Sequence, residues 1–181
     1  MRKLLRKLAS GVLAAALAVS LVPAAAFAAP AKETHITILG TSDMHANPWG
    51  FSYEDDKETN NNGMARLYTY IQQVRAEEKN VVLLDAGDDI QGTIMTDDIY
   101  NKKPDSPHPI ITAMNIMGYD AMTLGNHEFN WGVPTLKKII AQANFPVLAA
   151  NIKDADGNFV TGAGWTILDR DGVKIAVIGV D

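Results

Sequence analysis

The chain has 181 residues, 47% of them hydrophobic and 20% charged, with 21 acidic against 16 basic side chains and a formal net charge of −5. It has no cysteine, which excludes disulfides, thiolate metal ligands, a cysteine nucleophile and a lipidated N-terminal cysteine, and leaves oxygen and imidazole donors for any metal. An acidic chain is a poor electrostatic partner for duplex nucleic acid, whereas a small phosphate-bearing ligand stays compatible if bound cations supply positive charge locally.

In chain order, Arg2, Lys3, Arg6 and Lys7 precede an apolar run from Leu8 to Val22, and Ala26-Phe27-Ala28 follows. This is the pattern of a secretory signal peptide over residues 1–28, cleaved after Ala28. The apolar run is shorter than the ~20 residues of a membrane-spanning helix, so no permanent membrane anchor is expected. The expected compartment is extracellular, cell wall or periplasm. Residues 1–28 hold four of the 16 basic residues and none of the acidic ones, so the rest carries 12 basic against 21 acidic residues, a formal charge of −9.

After a linker over 29–34, His35 to Leu39 alternates as a strand leading into Gly40-Thr41-Ser42-Asp43. Trp49 to Gly63 is rich in Asp, Glu and Asn without apolar period and predicts an exposed loop. Met64, Leu67, Tyr68, Ile71 and Val74 recur at helical spacing within a helix over 64–79. Val81 to Leu84 is a continuous apolar run, as in a strand buried on both faces, and delivers Asp85, Gly87 and Asp88.

A second helix is expected from Pro107 to Met117, a strand from Ala121 to Leu124, a third helix from Pro134 to Ala143 and a strand from Val147 to Ala150. This alternation predicts an α/β unit with parallel strands and crossover helices. Trp165 to Leu168 and Val173 to Val180 form a β-hairpin through Asp169-Arg170-Asp171-Gly172. The chain ends on an apolar strand pattern with no closing element, so residues 35–181 are expected to be the truncated N-terminal part of a domain.

Three runs follow predicted strands: Asp43-Met44-His45, Gly87-Asp88 and Gly125-Asn126-His127-Glu128. Asp43 and His45, one residue apart in extended backbone, point the same way and can grip one ion. Asp88, at the end of a central strand, can bridge two ions about 3.5 to 4 Å apart. Asn126 offers a neutral amide oxygen, while His127 points elsewhere and stays free for acid work. Each pattern alone also fits a turn or cap residue. All three in order at strand ends point to metal-assisted hydrolysis of a phosphate ester. Asp85 and Asp89 read as supporting acids, His35 as exposed and His108 as a residue at a helix start. Asp154-Ala155-Asp156-Gly157-Asn158 lacks the later Glu of a calcium loop and reads as a hairpin turn. Trp49, Tyr53 and Trp131 either line the substrate cleft or pack in loops.

These three runs resemble the first three blocks of the calcineurin-like metallophosphoesterases, and Gly125-Asn126-His127-Glu128-Phe129 resembles their secreted nucleotidase branch. Thr41-Ser42-Asp43-Met44-His45, Asp88-Asp89-Ile90-Gln91-Gly92 and Asn126-His127-Glu128-Phe129-Asn130 are most similar to the 2',3'-cyclic-nucleotide 2'-phosphodiesterase/3'-nucleotidase group. The resemblance implies a four-layer sandwich of two mixed sheets flanked by helices, present here as an N-terminal fragment. It implies two divalent metal ions, Mn, Zn, Fe or Co, with Asp43 and His45 on one, Asp88 bridging and Asn126 on the second. His127 would serve the transition state and leaving oxygen, and the ions would activate the attacking water.

Two departures accompany the resemblance. The 5'-nucleotidases of the branch carry Asp where this chain has Asn130. An amide can accept a hydrogen bond from His127 but cannot balance an imidazolium by charge, which favours a singly charged cyclic diester over a dianionic monoester. The family also completes its metal site with three later histidines, whereas this chain has only His35, His45, His108 and His127. A C-terminal nucleotide-binding domain is implied and absent. The expected substrate is a small nucleotide, 2',3'-cyclic or 3'. The alternatives are a 5'-nucleotidase or other phosphomonoesterase of the family, or a non-catalytic metal- or nucleotide-binding fragment if residue 181 is a true C-terminus.

Overall fold

The apolar run Val81-Val82-Leu83-Leu84 forms β4 (Val81–Asp85), flanked by β1 (Thr37–Thr41) and β5 (Ala121–Thr123), with β6 (Val147–Leu148) beyond. All three pairings are parallel, in register Thr37↔Val81, Leu84↔Ala121 and Met122↔Val147. The computed structural model describes residues 33–61, 63–103 and 105–181. The expected signal peptide and linker residues 29–32 lie outside them.

Helices α1 (Met64–Glu77), α2 (Pro109–Met117) and α3 (Val133–Ile140) are the crossovers between consecutive strands of this sheet. They bury Ile71, Ile111, Met114, Leu136 and Ile139 with Leu83, Met122 and Val147 in one core. Periodicity placed the start of α2 at Pro107, two residues early. His108 is extended (φ −73, ψ 123) as the cap residue, because the residue before a proline is held out of the helical region. The last expected turn of α3, through Ala143, closes instead with Gln142 N–H to Ile139 O and Ala143 N–H to Ile140 O, the i−3 bonds of a tightening helix end.

β7 (Trp165–Arg170) and β8 (Val173–Ile178) form the expected antiparallel hairpin. The turn is shorter than predicted: Asp171 (φ 54) and Gly172 (φ 84) make it alone, as a two-residue turn with both residues left-handed. Arg170 remains in the strand, where its Nε donates to Val81 O at 2.9 Å and its guanidinium pairs with Asp120. The hairpin meets the sheet at both ends, through Arg170 at the start of β4 and Gly179 beside β6. Gly179 passes so close to Leu148 that an added Cβ would sit 2.6 Å from the Leu148 carbonyl oxygen. Parallel sheet, crossover helices and hairpin are the parts of the expected sandwich contained in the described residues.

The polar segment 49–63 is not wholly irregular. It carries a short hairpin of β2 (Phe51–Ser52) and β3 (Lys57–Glu58), closed by Asp55 N–H donating to Ser52 Oγ. A π-helical turn, Met95–Tyr100, was not foreseen. Among the described residues, no helix is long and apolar enough to cross a membrane.

Candidate metal centre

Parallel strands align their C-terminal ends, and the three motif loops leave β1, β4 and β5 side by side there. Backbone bonds join the first two loops: Asp43, His45 and Ala46 N–H donate to the carbonyls of Gly87, Asp88 and Asp89 at 2.9 to 3.0 Å. The second and third loops touch through glycines. A Cβ on Gly87 would strike the backbone of Gly125, and a Cβ on Gly125 would strike the Asp88 carboxylate. Asp88 Oδ1 accepts the His127 backbone N–H at 2.8 Å.

This packing brings donor atoms of His45, Asp88 and His127 within 4.8 Å of one another. Asp43 Oδ1 lies 4.0 Å from His45 Nε2, and both side chains open to solvent. Asn126 starts the 3₁₀ turn Asn126–Phe129 and is exposed beside them. The set fits hard divalent cations: its donors are carboxylate oxygen and imidazole nitrogen, they converge, and solvent reaches them. His127 stands with this set instead of pointing away from it. Its ring meets the His45 ring edge-on at 5.2 Å between centroids.

On the other side of His127, two amide nitrogens face Nδ1: Asn130 Nδ2 at 3.0 Å and Gln91 Nε2 at 3.1 Å. Both lie within hydrogen-bond distance of Nδ1, whose role follows the ring's tautomer. Asn130 stands within hydrogen-bond distance of the His127 ring, as expected of its partner. Gln91 has no motif signature by itself, and only the fold carries it to His127.

Behind these donor groups lie buried acids. Asp85 accepts from Thr41 Oγ1 (2.5 Å) and Gly87 N–H (2.7 Å), and Asp89 accepts from Met44 N–H (3.1 Å). Asp89 is fully buried, and burial, reinforced by the neighbouring Asp85 and Glu128, pushes its carboxyl well above the usual range. Burial raises Asp85 as well. A carboxyl kept from water beside another acid resists ionisation, and Asp89 Oδ2 is buried without a hydrogen-bond partner among the described residues. Burial likewise lifts the Tyr119 hydroxyl, which meets Thr41 Oγ1 at 3.0 Å.

Glu128, 1% exposed, accepts four backbone N–H groups: Asp88 (2.7 Å), Asp89 (2.7 Å), Ile90 (3.3 Å) and Gly125 (2.8 Å). Burial raises its pKa, and these four bonds oppose that rise. Its residue type and position alone assign it no role. The available signal was an acid three residues after Gly125, where a short helical turn exposes its first N–H groups.

The remaining aromatic and histidine expectations separate clearly. His35 is exposed and 3.4 Å from Glu78. His108 is buried, its Nε2–H donating to Ile90 O at 3.0 Å. Trp131 packs near Tyr100 and His108, and Tyr53 meets Phe51 edge-on. Trp49 is exposed at 52%. Asp154 Oδ1 accepts from Asp156 and Asn158 N–H, a self-closed turn.

Residues 36–176 match the family described as calcineurin-like phosphoesterase. The trifunctional nucleotide phosphoesterase protein YfkN of Bacillus subtilis is 39% identical over 82% of this chain and 11% of its own length. The crystal structure of calcineurin-like phosphoesterase YfkN superposes with a TM-score of 0.70 at 37% identity, covering 81% of this chain and 47% of that one. A 2',3'-cyclic-nucleotide 2'-phosphodiesterase/3'-nucleotidase of Yersinia enterocolitica is 38% identical over 88% of this chain and 26% of its length. A 5'-nucleotidase of Rattus norvegicus is 45% identical over 68% of this chain and 21% of its length. The chain thus spans about a quarter or less of these curated relatives.

Proposed function

The chain belongs to the calcineurin-like phosphoesterase family, and on that premise we propose that it is the metal-binding part of a secreted, two-metal phosphoesterase acting on nucleotides. The 2',3'-cyclic and 3'-nucleotides are the preferred substrates. The carrying observation is the convergence of His45, Asp88 and His127 at the ends of three adjacent parallel strands. Asp43 and His45 would hold one ion, Asp88 would lie between the two and Asn126 would hold the second. When bound, Mn, Zn, Fe or Co ions would polarise the phosphoryl oxygens and make water a competent nucleophile near neutral pH. A nucleotide-binding domain, for which the greater length of the relatives leaves room, would complete the cleft.

Within the chain, Gln91 and Asn130 face Nδ1 of the His127 ring and leave Nε2 free to serve the leaving oxygen when the ring is protonated. Neither partner is charged. A cyclic diester with one negative charge suits this neutral cradle better than a dianionic monoester does. The relatives named 5'-nucleotidase support 5'-monoesters as a second reading.

The two readings separate when 2',3'-cyclic AMP, 3'-AMP and 5'-AMP are assayed side by side on the metal-loaded full-length protein. Preference for 5'-AMP sinks the first. Asn130→Asp should lower the ratio of cyclic-diester to 5'-monoester turnover about tenfold, one added charge being worth about one pKa unit of interaction. An unchanged ratio removes the role given to the amide. Export is checked by the N-terminus of the secreted protein, expected at Ala29. A coding sequence without later histidines would favour a non-catalytic binding module.

A further inference from the structure

The loops that carry the ligands are strained. Asp43 (φ 53), His45 (φ 43), Ala46 (φ 54) and Asp88 (φ 64) all occupy the left-handed region, which residues with a Cβ seldom adopt and keep only where the surroundings over-determine them. Asp43, His45 and Ala46 are held by the carbonyls of residues 87–89. Those residues depend in turn on Glu128, which takes the N–H groups of Asp88, Asp89 and Ile90 together with that of Gly125.

We propose that Glu128 is the positioning residue of the metal centre: one buried carboxylate ties the backbone of the second and third ligand-bearing loops directly, and the first through the carbonyls of residues 87–89, into ion-binding geometry without itself touching ion or substrate. Each oxygen has two N–H donors: Oε1 takes Asp89 and Ile90, Oε2 takes Asp88 and Gly125. With both oxygens engaged and the side chain closed to solvent, Glu128 is poorly placed to ligate. Its bonds fall on the residue meant to lie between the ions and on the residue preceding Asn126, so their loss loosens both ions' sites at once. The carbonyl bonds from residues 87–89 pass the effect to Asp43 and His45. A neutral amide cannot replace the carboxylate, because its NH₂ would face two backbone N–H donors.

This inference rests on the two-metal reading above, and the test separates the two. Full-length wild type, Glu128→Gln and Glu128→Asp are stripped of metal and titrated with Mn²⁺ by calorimetry and electron paramagnetic resonance, with circular dichroism as the check on folding. Wild type should bind two ions with an exchange-coupled signal; failure there overturns the two-metal reading and this inference with it. Folded Glu128→Gln should bind Mn²⁺ about 10- to 100-fold more weakly, lose the coupled signal and recover most of its kcat in excess Mn²⁺, with KM little changed. Should Glu128→Gln fail to fold, Glu128→Asp, which keeps the charge on a shorter arm, should fold and show the same weakening to a smaller degree. A folded variant with wild-type Mn²⁺ affinity and coupling, even one easier to unfold, would reduce Glu128 to a structural acid and overturn the proposal.

Discussion

The loop cluster at the ends of β1, β4 and β5 and the β7–β8 hairpin obey opposite rules. The cluster holds four of the six non-glycine residues with positive φ among the described residues, each costing on the order of 1 to 2 kcal/mol. It offsets them with backbone bonds between loops and with the four N–H groups that Glu128 accepts. The hairpin breaks no local rule. Half-buried and exposed residues alternate along both strands, and its single non-glycine left-handed residue, Asp171, sits in a turn that requires one. Yet the hairpin leaves Trp165, Ile167 and Ile178 exposed at 59, 48 and 65%. Local consistency builds secondary structure cheaply, whereas bringing ligands from distant segments to one point requires strain and buried braces.

The contrast is broken most severely at Asp88, whose carboxylate also anchors the His127 backbone. Asp88→Ala should lower turnover about 1000-fold or more, as expected for several kcal/mol of lost transition-state stabilisation, and should reduce bound metal. His127→Ala should cost at least about 100-fold, the usual worth of a general acid, with metal content kept. Equal metal loss in Asp88→Ala, Asn126→Ala and His127→Ala would make His127 a ligand, as its proximity to His45 and Asp88 also permits.

Next in size is a pH effect at His108, which braces the loop after Asp88 through Ile90. Burial lowers its pKa from 6.5 to about 4, and the neutral ring donates from Nε2 while Nδ1 accepts the Ile111 N–H. The unfolded chain therefore binds this proton more readily than the native one. The contribution is fully present above pH 6.5 and is lost as pH falls toward 4, about 3 kcal/mol in all. The buried acids Asp85, Asp89 and Glu128, whose pKa values are raised, work in the opposite sense and favour the native state at low pH. Comparing urea unfolding of wild type and His108→Gln from pH 7 to 4 isolates the histidine: the difference in stability should shrink as pH falls. The smallest effect belongs to the hairpin. Trp165→Thr on its exposed face should change unfolding free energy by no more than about 0.5 kcal/mol, and a loss several times larger would show that this face is covered.

Much of this architecture was legible in the residues. The β4 run was placed at 81–84 and extends only to Asp85, and the α1 periodicity over 64–79 closes at Glu77. Boundaries slipped where a neighbour decided them: Pro109 holding His108 out of α2, or Arg170 kept in β7 by its bond to Val81. The ligand types at the strand ends were legible as well. Glu128 and Gln91 were not, because their partners lie about 36 to 40 residues away in the chain.

By itself the sequence determined the order of strands and helices, the absence of thiol chemistry and the loops that carry Asp43, His45, Asp88, Asn126 and His127. Those follow from periodicity, composition and residue type, which act within a few residues. Only the tertiary structure decided that His127 stands with His45 and Asp88, that two amides face its Nδ1, and that one buried glutamate accepts four backbone N–H groups from two of the loops. Such facts depend on which strand ends become neighbours and on which side chains lose their water, and neither is recorded in local sequence.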